Sequence, residues 1–443
     1  MKNNNNQWAS KIGFLLATAG AAIGLGNLWK FPYLMGKNGG FPFLLAYLFF
    51  ILILGIPVMI TEMSIGRMSR HNPVRAYEII NPRAKIVGIL GVLSAFLILS
   101  YYSVIGGWML KYFFSYLTTF NAPESFEAFI SSPVEPIIWH FIFMLLTGVI
   151  CFFGVSGIEK ASKIMMPTLF VLIIIVIIRG LTLPGASEGL KFIFKPNFGN
   201  FTFDSINTAL SQVFYSLSLC MGITITYGSY LSKKENIEKS CLNVALLDTC
   251  MAILAGIAIF PAVFSFGLEP GQGPSLIFGT LPKVFASMSG GSIFALLFFL
   301  IMFFAALTSA IALLEVSTSF TIDSLKWDRK KSIGILTVVI FFLGIFSSLS
   351  FGPLADVSIL GYTFFDFIGM ITDNILLPLG GIFMCYYVGW KWDTTKLIDE
   401  MEASGHPFKL KKIWLFCIRY ITPVLVLIVT VTGFINIYTK IIG

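Results

Sequence analysis

The stretch "ATAGAAIGLGNLWKFPYLMGKNGG", residues 17–40, lies in an apolar segment that begins near Ile12. It is long enough to cross a bilayer, which takes about 20 mostly apolar residues. Yet it carries small residues, an Asn, a Lys and a Pro where hydrocarbon should surround it. A helix that unwinds in lipid exposes N–H and C=O groups costing several kcal/mol each when unpaired. Such a break survives only where it lines a cavity or meets a ligand. Carbonyls freed at a break suit a hard cation, and N–H groups at the start of a half-helix attract a carboxylate. The stretch therefore points to a site for a zwitterion and a coupling ion.

The rest of the chain supports a membrane setting. Of 443 residues, 56% are hydrophobic and 12% charged, against roughly 25% charged in soluble domains. Mean hydropathy is +0.86. The net charge of +8 is modest and suits cytoplasmic loops rather than nucleic acid. Six scattered cysteines form no CxxC pair and no metal spacing. His71, His140 and His406 lie far apart and read as helix filler or solvated loop. The polar start "MKNNNNQWAS" precedes an apolar run too long for a signal-peptide core, so it reads as retained.

A scan for spans gives eleven, near 12–36, 41–66, 87–117, 137–154, 162–180, 204–231, 243–267, 292–322, 333–350, 356–387 and 413–436. With the N-terminus in the cytoplasm, the inner loops collect Arg67, Arg70, Arg75, Arg83, Lys85, Lys160, Lys163, Lys233, Lys234 and Lys239. They also collect Lys326, Arg329, Lys330, Lys331, Lys391, Lys396, Lys409, Lys411 and Lys412. The outer loops hold little beyond Lys37, Lys191, Lys195 and Lys283. This asymmetry sets the N-terminus inside, and eleven spans set the C-terminus outside. The semi-apolar outer loop 269–291 is expected to fold back over the membrane face.

A second interrupted segment, "FYSLSLCMGITITYGSY" (214–230), lies in span 6, five spans after the first. That spacing fits inverted repeats, 12–180 and 204–387, each opening with a broken helix, plus an extra helix at 413–436. On the residues alone, the glycines read equally as small residues for tight helix packing.

At this point the residues resemble a known family. The blocks "WASKIGFLLATAGAAIGLGNLWKFPY", "NGGFPFLLAY", "GIPVMITEMSIGR", "YYSVIGGW", "SGIEKASKIMMPTLF", "FYSLSLCMGITITYGSY", "IFPAVFSFG" and "FFAALTSAIALLE" are similar, in order, to the neurotransmitter:sodium symporter family and its bacterial amino-acid transporters. The resemblance implies an all-α membrane protein with a core of ten helices. It also implies sodium-coupled uptake of a small amino acid by alternating access, with two sodium ions and no organic cofactor.

The resemblance carries site residues with it. The sodium site remote from substrate falls on Gly20, Ile23, Ala305, Thr308 and Ser309; without the family, the two hydroxyls read as bonded within their own helix. The second site falls on Ala22, Asn27, Ser216 and Asp248, the one acid in span 7 and hence a functional candidate at membrane depth. The substrate pocket falls on Ala22, Gly24, Leu25, Gly26, Ile98, Tyr102, Tyr215, Ser216, Ser218, Cys220, Met221, Ala310 and Leu313. Tyr102 is expected to bond the substrate carboxylate and Tyr215 to cap the pocket. Amine transporters of the family carry Asp where this chain has Gly24, which implies a substrate with its own carboxylate. Met221 stands where the leucine-transporting branch has Phe, Ala310 where it has Ser, and Cys220 where it has Gly. The wall offers no charge to a side chain, so a large apolar, preferably aromatic, amino acid is expected. The fixed charge of Asp248 implies independence from chloride.

For the gates, Lys30 and Asp373 occupy the outer charged pair, with Asp366 as a second acid. Trp8, Ser229, Tyr230 and Asp323 match the inner latch. The family's N-terminal Arg is replaced by Asn5, with Lys2 nearby. Other readings are a broad aliphatic symporter, or a sensor or channel on the same scaffold. An enzyme would need paired carboxylates, an activated nucleophile or a metal cluster, and the sequence offers none of these patterns.

Overall fold

A computed structural model of the chain describes residues 7–123, 125–268 and 276–442. Among these residues the architecture is all-helical, apart from one isolated bridge between Ile359 and Tyr362. Nine described helices are long and apolar enough to cross a membrane: Phe41–Ser69, Pro82–Thr119, Glu135–Phe152, Gly154–Leu181, Ile237–Ser265, Gly291–Ser324, Arg329–Leu349, Phe364–Lys391 and Lys411–Lys440. These are spans 2 to 5 and 7 to 11. Span 1 is the pair Lys11–Ala22 and Gly26–Lys37, bent by 50°. Span 6 is Phe203–Ser216 followed by Ile223–Ser229. Neither half of span 6 is long enough to cross alone, and six residues separate them. Spans 1 and 6 are thus both broken, and the four crossings between them set them in opposite directions.

Some ends differ from the expected ones, for local reasons. Span 5 begins at Gly154 rather than 162, with only Phe153 separating it from span 4. Glu159, Lys160 and Lys163 make its first turns too polar for a scan on apolar residues. Span 7 begins at Ile237, where the Asn236 side chain accepts the Lys239 N–H at 2.9 Å. Span 10 begins at Phe364, capped by Thr363, while the expected start at 356 is turn. The helix halves at the breaks start on similar chemistry. Ser10 caps span 1, accepting the Gly13 N–H at 3.0 Å, and Thr202 forms a capping box with Ser205 at span 6.

Burial separates inner from outer helices. Of the most apolar window of span 8, 78% is buried, against 39% for spans 4, 5, 9 and 11. Span 8 is therefore a central pillar, packed against span 3, and the other four face lipid. The described part of the loop between spans 7 and 8 packs into the protein. Phe278 is buried, stacks on Phe126 with centroids 4.6 Å apart, and its carbonyl accepts the Tyr112 hydroxyl at 3.0 Å. Residues 269–275 of that loop lie outside the described residues.

The inner half of span 6 lies directly on span 2. A Cβ on Gly66 would sit 2.0 Å from the Ile225 carbonyl oxygen, and one on Gly228 would sit 2.6 Å from that of Met63. Only hydrogen at both positions permits this approach. Next to it, Arg67 is 0% exposed. Its Nε donates to Glu400 Oε1 at 2.7 Å, a second nitrogen to the Glu400 carbonyl, and a third to the Glu235 carbonyl. Span 2 is thereby tied to the loop before span 7 and to the short helix Thr394–Glu402.

Gly66→Ala should lower the thermal midpoint sharply, because the clash is with backbone; overpacking of this kind costs about 1–3 kcal/mol or more. Gly334→Ala is the control, since nothing lies within 4 Å of a Cβ there. Equal midpoints for the two variants in detergent would show that the contact between spans 2 and 6 is not close.

Candidate substrate and ion site

The two breaks face each other, and each released backbone group described here has a partner. At span 1, Ile23 is extended and its N–H still reaches the Ala19 carbonyl at 2.7 Å. The Gly24 N–H donates to Asn27 Oδ1 at 3.3 Å and the Leu25 N–H to the Tyr102 hydroxyl at 3.2 Å. At span 6, Ser218, Cys220 and Gly222 all take left-handed backbone, with φ of 52°, 61° and 74°. For Ser and Cys this conformation is sparsely populated and costs of order 1–3 kcal/mol each, a pattern that clusters at functional sites. Glu62 of span 2 holds the turn: its Oε2 accepts the Cys220 N–H at 3.3 Å and the Thr224 hydroxyl at 2.6 Å. Ser218 Oγ donates to the Ala21 carbonyl at 3.1 Å, linking the breaks.

Beside them lies a buried polar cluster. The Asn27 amide nitrogen is 3.0 Å from Ser216 Oγ and 2.8 Å from Asp248 Oδ1. Ser216 Oγ donates to Asp248 Oδ2 at 2.8 Å. Three of the four residues expected at the substrate-side ion are thus within hydrogen-bond reach of one another, and Ala22 lines the adjoining cavity. Two further side chains join them. The Tyr47 hydroxyl is 2.8 Å from Ser216 Oγ and 3.1 Å from Asp248 Oδ2. Gln212 donates to the Gly26 carbonyl at 3.0 Å, and its buried Oε1 has no hydrogen-bond partner.

The remote ion residues also converge. Ser309 Oγ lies 3.1 Å from the Ala21 carbonyl and 3.5 Å from that of Gly20. Thr308 Oγ1 lies 3.0 Å from the Ala305 carbonyl. A Cβ on Gly20 would come within 3.2 Å of the Thr308 Cβ, so spans 1 and 8 touch there. Ile23 is fully buried at the end of the first half-helix. Both groups present mainly oxygen, the donor type that suits hard cations.

Between the breaks is a cavity lined by Ala22, Gly24, Gly26, Ile98, Tyr102, Tyr215, Ser218, Met221 and Leu313, all expected, together with Ala21, Ile223 and Ser309. Four expected wall residues are placed elsewhere. Leu25 lines the vestibule outside, Ser216 belongs to the acid cluster, and Ala310 is buried within span 8. Cys220 turns toward span 10, where a Cβ on Gly381 would lie 3.5 Å from its Sγ. The left-handed residues in the break redirect it, so it takes no volume from the cavity. Gly24 is hemmed in: a Cβ there would meet Ser309 Oγ at 2.5 Å and the Tyr102 hydroxyl at 2.9 Å.

Above and below, charged and aromatic groups close the path. Lys30 Nζ is 3.6 Å from Asp373 and 4.2 Å from the centre of the Tyr215 ring. Asp366 stays exposed and bonds its own capping residue, Thr363. On the inner side, Trp8 Nε1 donates to the Tyr227 carbonyl at 3.0 Å and Trp8 N–H to that of Tyr230 at 3.3 Å. The Tyr230 hydroxyl reaches Glu315, which is ion-paired with Arg329. Asp323 is bonded instead to His71 at 2.8 Å and to Asn72, and the Ser229 carbonyl accepts from Arg70 at 3.2 Å. The expected single latch is two clusters, and His71 is a paired residue rather than loop filler. Asn5 and Lys2 lie outside the described residues. Glu159 accepts the Ala9 N–H and the Ser10 hydroxyl, both at 2.7 Å.

A sequence profile described as the sodium:neurotransmitter symporter family matches residues 5–133 and 130–442. The chain belongs to that family. It is similar to the sodium-dependent transporter YhdH of Bacillus subtilis, at 41% identity over 434 residues and 96% of each chain. It is also similar to a sodium-dependent transporter of Haemophilus influenzae, at 35% identity over 460 residues, 98% of this chain and 100% of the other. Among solved structures, it resembles MhsT in complex with L-phenylalanine, with a TM-score of 0.89 and 44% identity over 96% of this chain and 99% of that one. The chain is a sodium-dependent symporter that crosses the membrane many times.

Four of this symporter's residues escaped the sequence reading. Glu62, in "GIPVMITEMSIGR", was visible as a carboxylate within an apolar helix. Tyr47 and Gln212 gave no such signal, since tyrosine and glutamine are common in helices whose polar tips find bonds. Glu315 stood within the quoted block "FFAALTSAIALLE" but was read only as part of the resemblance.

Tyr47→Phe removes a buried hydrogen bond to a carboxylate while keeping the ring. Such bonds contribute about 1.5–3 kcal/mol, so the sodium concentration for half-maximal substrate binding should rise by at least roughly tenfold. An unchanged sodium titration in scintillation-proximity binding would exclude Tyr47 from the ion site.

Proposed function

We propose that this symporter imports hydrophobic, preferably aromatic, L-amino acids together with two sodium ions and without chloride. The crowding at Gly24 carries the reading. A side chain there would have to displace the Ser309 and Tyr102 hydroxyls, so the site leaves Gly24 bare of any carboxylate of its own and the substrate brings one. The substrate carboxylate meets the Tyr102 hydroxyl and the N–H groups of the span 1 break, and one sodium ion, held by Ala22, Asn27, Ser216 and Asp248, shares it. The second ion sits between Gly20, Ile23, Ala305, Thr308 and Ser309. Ile98, Met221 and Leu313 surround the substrate side chain without charge, so a charged amino acid would be buried unpaired at high cost. Met adapts its shape and contacts aromatic rings favourably, by about 0.3–1.5 kcal/mol. The L-phenylalanine bound by the similar MhsT supports the aromatic preference.

In this reading the N-terminus is cytoplasmic, the C-terminus lies outside, and 12–180 and 204–387 are the repeats that rock against each other, with 413–436 peripheral. Lys30 and Asp373 form the outer gate. Trp8, Ser229, Tyr230 and Asp323 belong to the inner one.

Uptake into proteoliposomes tests the reading. Transport should need an inward sodium gradient and fail in potassium; binding without gradient-driven accumulation would mean a sensor or channel. Two unit charges about 4 Å apart interact by roughly 4 kcal/mol at an effective dielectric near 20, enough for Asp248 to replace an anion. Wild-type uptake should therefore persist in gluconate, while Asp248→Asn should become chloride-dependent or inactive. Loss of wild-type uptake in gluconate would refute the role of Asp248.

Competition by all twenty amino acids should rank Trp, Tyr and Phe above Leu and Ile, with Asp, Glu, Lys and Arg inert. Met221→Phe should shift the ranking toward smaller aliphatic residues. Better displacement by Ala or Leu than by Trp or Tyr would make this a broad aliphatic symporter, and an unmoved ranking would remove Met221 from selectivity.

A further inference from the structure

Spans 4 and 9 face lipid, and between them runs a groove of about 560 Å³ that plays no part in the pathway above. Its floor is open because two positions lack side chains. A Cβ on Gly334 would meet nothing within 4 Å, and one on Gly148 would approach only Thr337. Its walls are exposed apolar groups, among them Phe141, Val149 and Val338. From Phe341 to Lys330 the groove follows eleven residue steps of helix, about 17 Å at 1.5 Å per step. One leaflet's hydrocarbon is half of the roughly 30 Å core, about 15 Å. The groove is as long as one acyl chain is deep.

Only one end carries charge. There Lys330 Nζ sits 5.6 Å from the centre of the Phe152 ring and makes no ion pair among the described residues. Lys331 lies beside it, over Trp327 at 5.1 Å. Arg329 is committed elsewhere, to the Cys151 carbonyl and Glu315, and Asp328 caps span 9. Counting Lys326, Arg329, Lys330 and Lys331 against Glu315, Asp328 and Asp323, the ion-pair partner of Lys326, leaves this end with one net positive charge. An apolar channel of leaflet length that ends in uncommitted lysines complements one class of molecule, an acyl chain joined to an anionic head.

We propose that the groove between spans 4 and 9 retains an anionic phospholipid, its acyl chain on Gly148 and Gly334 and its phosphate at Lys330 and Lys331. The site requires no particular reading of substrate or ion coupling. Under the orientation proposed above, the lipid comes from the cytoplasmic leaflet.

Native mass spectrometry of the purified, delipidated protein tests this with equal amounts of dioleoyl phosphatidylglycerol and dioleoyl phosphatidylcholine. The wild type should retain the anionic lipid at least about fivefold over the zwitterionic one, the effect of roughly one basic residue near a phosphate. Lys330→Glu should remove about a fivefold share of that preference. Gly334→Phe, which fills the groove, should lose both lipids. Sodium-dependent thermal stabilisation serves to show that each variant is folded, and Gly334→Leu stands in if the Phe variant is not. Equal retention of the two lipids by wild type would overturn the proposal, as would an unchanged preference in Lys330→Glu. Full displacement by soluble glycerol phosphate would overturn it by showing that the chain is not held. A dimer that Gly334→Phe converts to monomer would assign the groove to a second copy instead.

Discussion

A backbone that stops being helical in the middle of a bilayer has to find a partner for every N–H and C=O it releases. Most features of this symporter's centre answer that demand. Glu62 takes the Cys220 N–H at the span 6 break, Asn27 takes that of Gly24, and Tyr102 takes that of Leu25. The carboxylate on span 2 explains why that span is pressed so closely on the inner half of span 6. A shorter side chain would not reach, and Gly66 and Gly228 permit the approach. The partners are not interchangeable. Glu62 lies away from the cavity, while Tyr102 lines it and Asn27 bonds Gly24, which lines it too.

The same demand places the acid cluster beside the cavity. The acid cluster of Asn27, Ser216, Asp248 and Tyr47 adjoins the cavity only because Asn27 serves both the Gly24 backbone and Asp248. Anything that moves the turn at Gly24 also moves a ligand of Asp248. The cavity wall at Gly24 and the acid cluster are coupled through one side-chain amide, a physical link of two bonds.

The fold was legible in the sequence because bilayer thickness sets the length of apolar runs, and loop lysines and arginines mark one side. The ends of spans 5 and 7 were less legible, since charged residues in their first turns are paired or capped by neighbours that no local window contains. The core of the site was legible in residues 17–40, where small and polar residues are out of place for lipid. Tyr47 and Gln212 were not, because their meaning arises only when spans 2 and 6 meet. The direction of Cys220 was illegible for another reason. Left-handed backbone at Ser218 and Cys220 is imposed by tertiary contacts, and nothing in serine or cysteine announces it. His71 was misread because a histidine in a loop acquires its partner, Asp323, from a helix some 250 positions away in sequence.

The first described residues show what the inner closure entails. Trp8 bonds the end of span 6 through two nitrogens, and Ala9 and Ser10 bond Glu159 of span 5. Glu159 lies where a side chain on Gly13 would be, 2.1 Å from the position of its Cβ. Three consecutive residues therefore staple the start of span 5 to the far end of span 6. A staple of this kind does not fray from one end: releasing Trp8 alone leaves the strand pinned to span 5, and releasing Glu159 alone leaves it pinned to span 6. The strand consequently comes away only when both anchors let go, so neither helix can shed it alone.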